Sequence, residues 1–547
     1  MQLKKYEEVI LLVKTRLAGS PRDLNLRALL GTVYYRSGRE KEAAAQWDSA
    51  VAIEPRDPST YRFIAANLTE NRLLDRAVDM YRRGRTASGD PNLFSLELAQ
   101  VLSAGMDYTG AAREYLGWLR QNPTQLAFVQ GRFASWTGKE DARSAAMKVV
   151  RSALSEQEEL PLVELEGWLA AEGKDYPAAF AAARRADILA RAGGVRLLQF
   201  ADRAFHEGRF DIASQAYREA LDVPLPPQRR AYAEYGDACA LKEAGVLADT
   251  LRVVSASTPA TESQPLYGGA LSRFLAIVAA YPRTEYSAKS LYQIGLLQYE
   301  RFGDADGALG SFRRALEETA GFPPLRYALR LQLGKVQISR GDTARAAEEF
   351  IAVAAAADAL PDQSDEATFR LAEIDYFGGR FQQAVARLDG ITVNLKADYA
   401  NDAIHLQAFL QENEGSAPEG LRDFARAEFL ARRGRSTEAI PILRHIIAAD
   451  SAATLADDAL MTIASLQAGA GLYAEAVASY ERMLARSRES SVALDRAQFQ
   501  LAELFRTGLR DTARAIAAYE KLLADYPSSV LSAQARKRIR QLRGDAL

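Results

Sequence analysis

The strongest constraint on this 547-residue chain is a recurrence. Ala43, Ala77, Ala111, Ala145, Ala179 and Ala213 stand 34 residues apart, one after another. Four residues further on comes an aromatic, as Trp47, Tyr81, Tyr115 and Tyr217; Val149 and Ala183 take that place in the fourth and fifth units. A proline closes the unit at Pro55 and Pro123, or lies close by at Pro91 and Pro224. A fixed period of this length marks a repeat architecture, in which each unit buries its apolar face only by stacking on its neighbours.

The stretch Leu24 to Asp57 shows what one unit is. Leu26, Leu29, Leu30, Val33 and Tyr34 recur at helical spacing over Leu24 to Arg36 and are expected on one buried face. Ser37-Gly38-Arg39 breaks that helix, because glycine is costly inside a helix and easy in a turn. A second helix then carries Ala43, Ala44, Trp47, Ala50 and Val51 on one face, and Pro55 ends it. Gly31 and Ala43 are small where two helices must approach closely, and Trp47 fills the space beside them.

Along the chain, residues 1–23 read as one amphipathic helix, a cap or the second half of a cut-off repeat, with Tyr6, Val9, Ile10, Val13 and Leu17 on one side. Six hairpins follow from 24 to about 227. A seventh is expected with Gly236 and Ala248 as its small residues, so the first block runs over 24–254. The polar, proline-containing stretch 255–265 reads as a linker. A second block, 266–530, repeats the pattern as Gly295 with Ala308, Phe312 and Ala315, then Gly334 with Ala346 and Phe350, and Ala372 with Ala384 and Leu388. It continues as Ala427 with Ala439 and Leu443, Ala464 with Ala476 and Tyr480, and Ala502 with Ala515 and Tyr519. Residues 399–413 read as an extra helix that interrupts the stacking, and 531–547 as a closing helix and tail.

These residues resemble the tetratricopeptide repeat (TPR), whose Gly, Tyr, Ala, aromatic, Ala and Pro positions match Gly31, Tyr34, Ala43, Trp47, Ala50 and Pro55. The resemblance covers residue 24 to the end and implies an all-α fold, an α-solenoid of about thirteen TPR-like hairpins in a right-handed superhelix. Repeat starts at Tyr281-Pro282 and Tyr526-Pro527 are similar to a bacterial subclass. That subclass includes the outer-membrane assembly lipoprotein and the periplasmic cell-division coordinator. Large bacterial TPR proteins share an ending like Ala535 to Asp545. The implied role is a scaffold in the cell envelope, although no lipoprotein cysteine stands near Met1. Chaperone-tail receptors of this family use a clamp of Lys, Asn and Arg; the corresponding inner positions here are Ala28 and Thr32, so the clamp is missing.

The remaining chemistry is sparse. The formal net charge of −2 gives no pull toward nucleic acid or anionic membrane. No apolar run is long enough for a transmembrane segment; Val9 to Val13 and Phe350 to Ala357 are both short. The sequence leaves the compartment open: periplasm or outer-membrane-associated if a signal was removed, otherwise cytoplasm. Cys239 is the single cysteine, and His206, His405 and His445 lack metal-ligand spacing. No phosphate loop, zinc-protease motif, nucleophile elbow or paired-cysteine motif occurs, so no catalytic residue, cofactor or metal is expected. Asn67-Leu68-Thr69 matches a glycosylation sequon but falls inside a predicted helix. The expected binding surface is the groove lined by first helices, with Asn25, Tyr35, Arg62, Gln100 and Gln130 as candidate partner-binding residues for a protein segment or helix. A second reading is a module for cell-wall glycan or polysaccharide, since sugar sites favour aromatic faces beside polar groups.

Overall fold

The computed structural model describes residues 2–254, 263–319, 323–393, 398–415, 418–449, 454–486 and 494–544. Among them every regular element is helical. Two compact units divide the chain, Met1–Ala233 and Glu234–Leu547.

Unit 1 opens with α1 (Gln2–Gly19), which packs on the first of six hairpins. These are α2 (Leu24–Arg36) with α3 (Glu40–Val51), α4 (Pro58–Glu70) with α5 (Leu74–Ser88), and α6 (Ser95–Ala104) with α7 (Tyr108–Gln121). They continue as α8 (Leu126–Thr137) with α9 (Glu140–Glu156), α10 (Leu160–Glu172) with α11 (Tyr176–Ala190), and α12 (Val195–His206) with α13 (Phe210–Leu221). The small positions are buried as the period demands at Ala43, Ala77, Ala111, Ala179 and Ala213, and Trp47, Tyr81, Tyr115 and Tyr217 are buried beside them. A side chain at Gly31 would overlap the indole of Trp47, which is why the first helix carries glycine there.

The fourth hairpin departs from the period. Ala145 is half-exposed, and Ala142, Ala146 and Val150 face the core instead. The physical reason is the turn. Residues 37–39 separate α2 from α3, whereas only residues 138–139 separate α8 from α9, so α9 starts early and its inward face moves round.

The division between units falls inside α14 (Pro227–Val254), a single helix of 28 residues. The expected seventh hairpin is therefore absent. Lys242 to Val246 continue the helix, and Gly245 marks a close approach rather than a turn: a Cβ there would lie 2.7 Å from the ring of Tyr267 on α15 (Ser263–Ala280). Of the stretch read as a linker, residues 255–262 lie outside the described residues and Ser263, Gln264 and Pro265 open α15.

Unit 2 then stacks α16 (Glu285–Glu300) with α17 (Ala305–Glu318), α18 (Pro323–Arg340) with α19 (Thr343–Ala354), and α20 (Pro361–Phe377) with α21 (Phe381–Thr392). Next comes an unpaired helix, α22 (Ala400–Glu414). After it follow α23 (Pro418–Arg432) with α24 (Ser436–Ala449), α25 (Thr454–Gly469) with α26 (Tyr473–Arg486), and α27 (Leu494–Glu503) with α28 (Thr512–Asp525). The last described helix is α29 (Ser532–Arg543). Helix α22 lies mainly against α21, while α20 reaches past it to touch α23. Ala308, Phe312, Ala315, Ala346, Phe350, Ala384, Leu388, Ala439, Leu443, Ala476, Tyr480, Ala515 and Tyr519 are all buried, as their spacing requires.

One turn design joins most hairpins. The amide that opens the second helix donates to a carbonyl five residues back, as in Arg39 to Tyr34, Asp107 to Leu102 and Asp342 to Gln337. The turn residue has positive φ. It is glycine at Gly38, Gly208 and Gly341, but Arg72, Met106, Lys174 and Arg510 hold the same conformation at a steric cost. Between Gly295 and Ala308, and between Ala502 and Ala515, the chain has one residue more than between Gly31 and Ala43. There the amide reaches six back, from Asp304 to Gln298 and from Asp511 to Phe505, and the second case ends in a π-turn over Leu504–Gly508. The insertion is absorbed in the turn, so both small residues still reach the core.

Candidate functional site

In unit 1 the first helices are bridged by a regular offset. Residues 35 apart meet: the Thr32 hydroxyl donates to Asn67 Oδ1 at 2.7 Å, Arg36 donates to Asn71 Oδ1 at 2.9 Å, and Arg62 Nε donates to Glu97 Oε1 at 2.9 Å. Asn67 thus ties α4 to α2.

The candidate residues separate on this frame. Asn25 on α2, Arg62 on α4 and Gln100 on α6 are exposed. Arg62 pairs with Glu97 and lays its guanidinium 5.2 Å from the centre of the Phe94 ring. Gln130 on α8 is half-buried. Tyr35 is also half-buried, with its ring 6.5 Å from Trp47, so it belongs to the packing of α2 on α3. Two apolar residues join the exposed set. Leu29 is 44% exposed and Phe63 is 37% exposed, one 34-residue period apart on α2 and α4. Leu29 reads from its helical spacing as a core residue; the structure places it outside, because α2 buries Ala28, Leu30, Val33 and Tyr34 instead. Val9 of α1 shares that fate, while Ile10 and Val13 are buried.

Unit 2 presents a different face. Lys242 of α14 donates to Gln293 of α16 at 2.9 Å, and Lys335 of α18 pairs with Glu366 of α20 at 2.5 Å. Glu373 of α20 takes Arg370 of the same helix and Arg432 of α23, both at 2.5 Å. The Tyr376 hydroxyl donates to Glu428 of α23 at 2.6 Å. Burial pushes the Tyr376 phenol well up and raises Glu428. Burial, then the charges of Glu412, Asp457 and Glu428, push Asp458 of α25 up to about 7. These groups link first helices through partly buried polar contacts, with Arg432 on the exposed side.

Burial pushes the Cys239 thiol up to about 11, away from the reactive thiolate. Among the described residues no three His, Cys, Asp or Glu side chains gather as metal ligands, and no helix is long and apolar enough to cross a membrane. A depression of about 260 Å³ lies between α7 and α10 at Leu119, Pro123 and Leu160, rimmed by the Arg120–Glu159 ion pair at 2.9 Å.

Residues 292–364 and 496–529 each match a tetratricopeptide-repeat family model. No curated protein matches the chain. Among solved structures, Naa15/Naa10 bound to HypK-THB is similar at 16% identity and a TM-score of 0.32, over 99% of this chain and 76% of that one. A tetratricopeptide repeat protein from Parabacteroides merdae gives 12% identity and a TM-score of 0.30, over 57% of this chain and 99% of its own. Yeast Tom70 gives 15% identity and a TM-score of 0.28, over 97% of this chain and 99% of its own.

Proposed function

We propose that this array of tetratricopeptide-type hairpins is a non-enzymatic scaffold that binds segments of protein partners along the first helices of unit 1. One observation carries the reading. Asn25, Leu29, Arg62, Phe63 and Gln100 are exposed on three successive first helices, and the apolar Leu29 and Phe63 among them stand one period apart. The likeness of the Tyr281-Pro282 and Tyr526-Pro527 repeat starts to a bacterial subclass supports a place in an envelope assembly.

The test is photocrosslinking in the cells of origin, with crosslinkable residues at Asn25 and Gln100, followed by identification of the attached peptides. A few recurrent protein partners support the scaffold. Recovery of glycan or wall material with no recurrent protein overturns it in favour of a polysaccharide-associated module.

A further inference from the structure

The near-neutral charge of the whole chain conceals an asymmetry. Residues 494–544, the last hairpin and α29, hold ten Lys and Arg against five Asp and Glu, a net of +5; the rest of the chain holds 59 against 66 and carries −7. Four of the five carboxylates are engaged within this end: Glu503 by Arg506 and Arg538, Asp511 by Arg514, Glu520 by Arg543 and Asp525 by Lys521. The fifth, Asp495, accepts from the Ser529 hydroxyl. Five cations are left without an ion pair among the described residues, and three of them, Arg536, Lys537 and Arg540, stand exposed on α29. That helix turns Ser532, Ala535 and Ile539 inward and contains no carboxylate. Polarity alone does not account for its outer face, because Gln534, Gln541 or charges of mixed sign would serve a solvated end equally well. The helix macrodipole favours cations in the last turn, at Arg540 and Arg543, but Arg536 and Lys537 precede that turn. Arg536 and Arg540 are also four residues apart, a spacing at which like charges repel. The helix thus keeps a repulsion that an anionic partner relieves.

We propose that the outer face of α29 docks this end of the chain onto an anionic lipid bilayer. The inference goes beyond the scaffold reading and does not depend on the unit 1 face. Charge complementarity carries it: each Lys or Arg close to an anionic leaflet strengthens binding about fivefold, so three unpaired cations give roughly a hundredfold preference over a neutral one. The −7 of the remaining chain does not cancel this, since attraction and repulsion are screened beyond about 8 Å at physiological salt. The bilayer meets the local +5 and not the chain average. Two features favour lipid over nucleic acid. Val530, two residues before α29, is 91% exposed, and the boundary between headgroups and acyl chains takes an apolar side chain that a phosphate backbone leaves unused. The exposed residues of α29 include no aromatic on which an unpaired base could stack. Three cations make a reversible, salt-sensitive contact that orients the array at a surface.

The test is flotation of the full chain with large vesicles at millimolar lipid, made of phosphatidylcholine alone or with about a third phosphatidylglycerol. The mixed vesicles are expected to hold at least tenfold more protein, and raising the salt from about 50 to 500 mM is expected to release it. The triple variant Arg536→Gln, Lys537→Gln, Arg540→Gln is expected to lose at least tenfold of that binding. All three side chains are exposed, and an unchanged melting curve confirms that the variant folds. A control variant, Arg113→Gln, Lys139→Gln, Lys148→Gln, changes the net charge equally at exposed positions of unit 1 and is expected to bind as the native chain does. Equal binding to both kinds of vesicle, insensitivity to the α29 variant, or an equal loss in the control overturns the proposal. Labelled duplex DNA is titrated under the same conditions. DNA binding that the α29 variant loses, with the vesicles left bare, gives the face to nucleic acid and overturns the bilayer. Protein crosslinks at Asn25 and Gln100 are indifferent to these outcomes, so the scaffold reading stands or falls separately.

Discussion

Replacing Asp458 by asparagine should tighten unit 2 at neutral pH and change little in mild acid. Asp458 lies on α25, partly buried, with Glu412 of α22, Glu428 of α23 and its neighbour Asp457 acting on it. Burial first, and these three carboxylates next, raise its pKa from 3.8 to about 7. The folded value exceeds the unfolded one, so the folded chain keeps a proton that the unfolded chain releases between about pH 4 and 7. Stability therefore falls as pH rises through that window and is lowest above it. A shift of this size corresponds to about 4 kcal/mol in full. Roughly half of that, about 2 kcal/mol, is lost between pH 5.5 and 8, a factor of about thirty in an opening equilibrium.

Hydrogen exchange read by mass spectrometry, corrected for the intrinsic pH dependence of exchange, measures this locally, which suits a long repeat array better than a global melt. Amides of α23 and α25 in the native protein should lose about thirtyfold of their protection from pH 5.5 to 8. In Asp458→Asn that loss should largely vanish, and protection at pH 8 should exceed the native value. Glu428, raised in the same sense by burial but opposed by Tyr376 and Arg432, supplies what slope remains. A flat profile in the native protein, or an equal slope in the variant, would refute the reasoning.

Three further outcomes follow from the packing. Gly334→Leu drives a side chain into the ring of Phe350 and should cost about 1–3 kcal/mol, seen as lost exchange protection confined to α18 and α19. Gly38→Val forces a β-branched residue into a turn at φ +82° and should destabilise by about 1–2 kcal/mol, whereas Arg72→Gly at the equivalent turn should be close to neutral; differential scanning calorimetry on both gives opposite readings if the turns are not equivalent. Glu373→Leu removes the carboxylate shared by Arg370 and Arg432 and should cost about 1–3 kcal/mol, since Arg432 is half exposed and Arg370 keeps Glu366, lowering the thermal transition of unit 2, while Glu42→Leu at an exposed Arg39 pair should leave the transition in place.

What could be seen in the sequence was whatever sterics make periodic. A small residue is required where helices touch, so Gly31 with Trp47, Gly334 with Phe350 and the alanine series announce their own hairpins. What could not be seen was set by turn length and by neighbours. Ala145 obeys the count but not the geometry, because a two-residue connection at 138–139 changes the angle at which α9 enters. Gly236 and Ala248 have hairpin spacing, yet Ala238, Ala240, Leu241, Lys242, Glu243 and Ala244 between them are good helix formers, no positive-φ residue interrupts them, and Gly245 is held helical against Tyr267, so α14 stays whole. The pairs Lys335–Glu366 and Glu373–Arg432 join helices far apart in the chain, and helical charge patterns alone make such residues look like solvated pairs within one helix.

The exposed apolar pair on the first helices was hidden for a related reason. Leu26, Leu29, Leu30 and Val33 all satisfy the spacing of an amphipathic helix, whose apolar stripe is wide enough to admit each of them. A first helix in a stacked array is covered from two directions, by its own second helix and by the adjoining units. Which apolar residue lies in the gap between those directions depends on the offset at which neighbouring helices meet. In unit 1 that offset is 35 residues, fixed by Thr32 with Asn67 and Arg36 with Asn71. It brings Leu30 and Ile64 inside and leaves Leu29 and Phe63 outside. The period of 34 identifies equivalent residues, whereas the contact offset decides which of them are left exposed. An apolar residue outside at one position is ordinary; the same exposure one period later is a property of the array's surface.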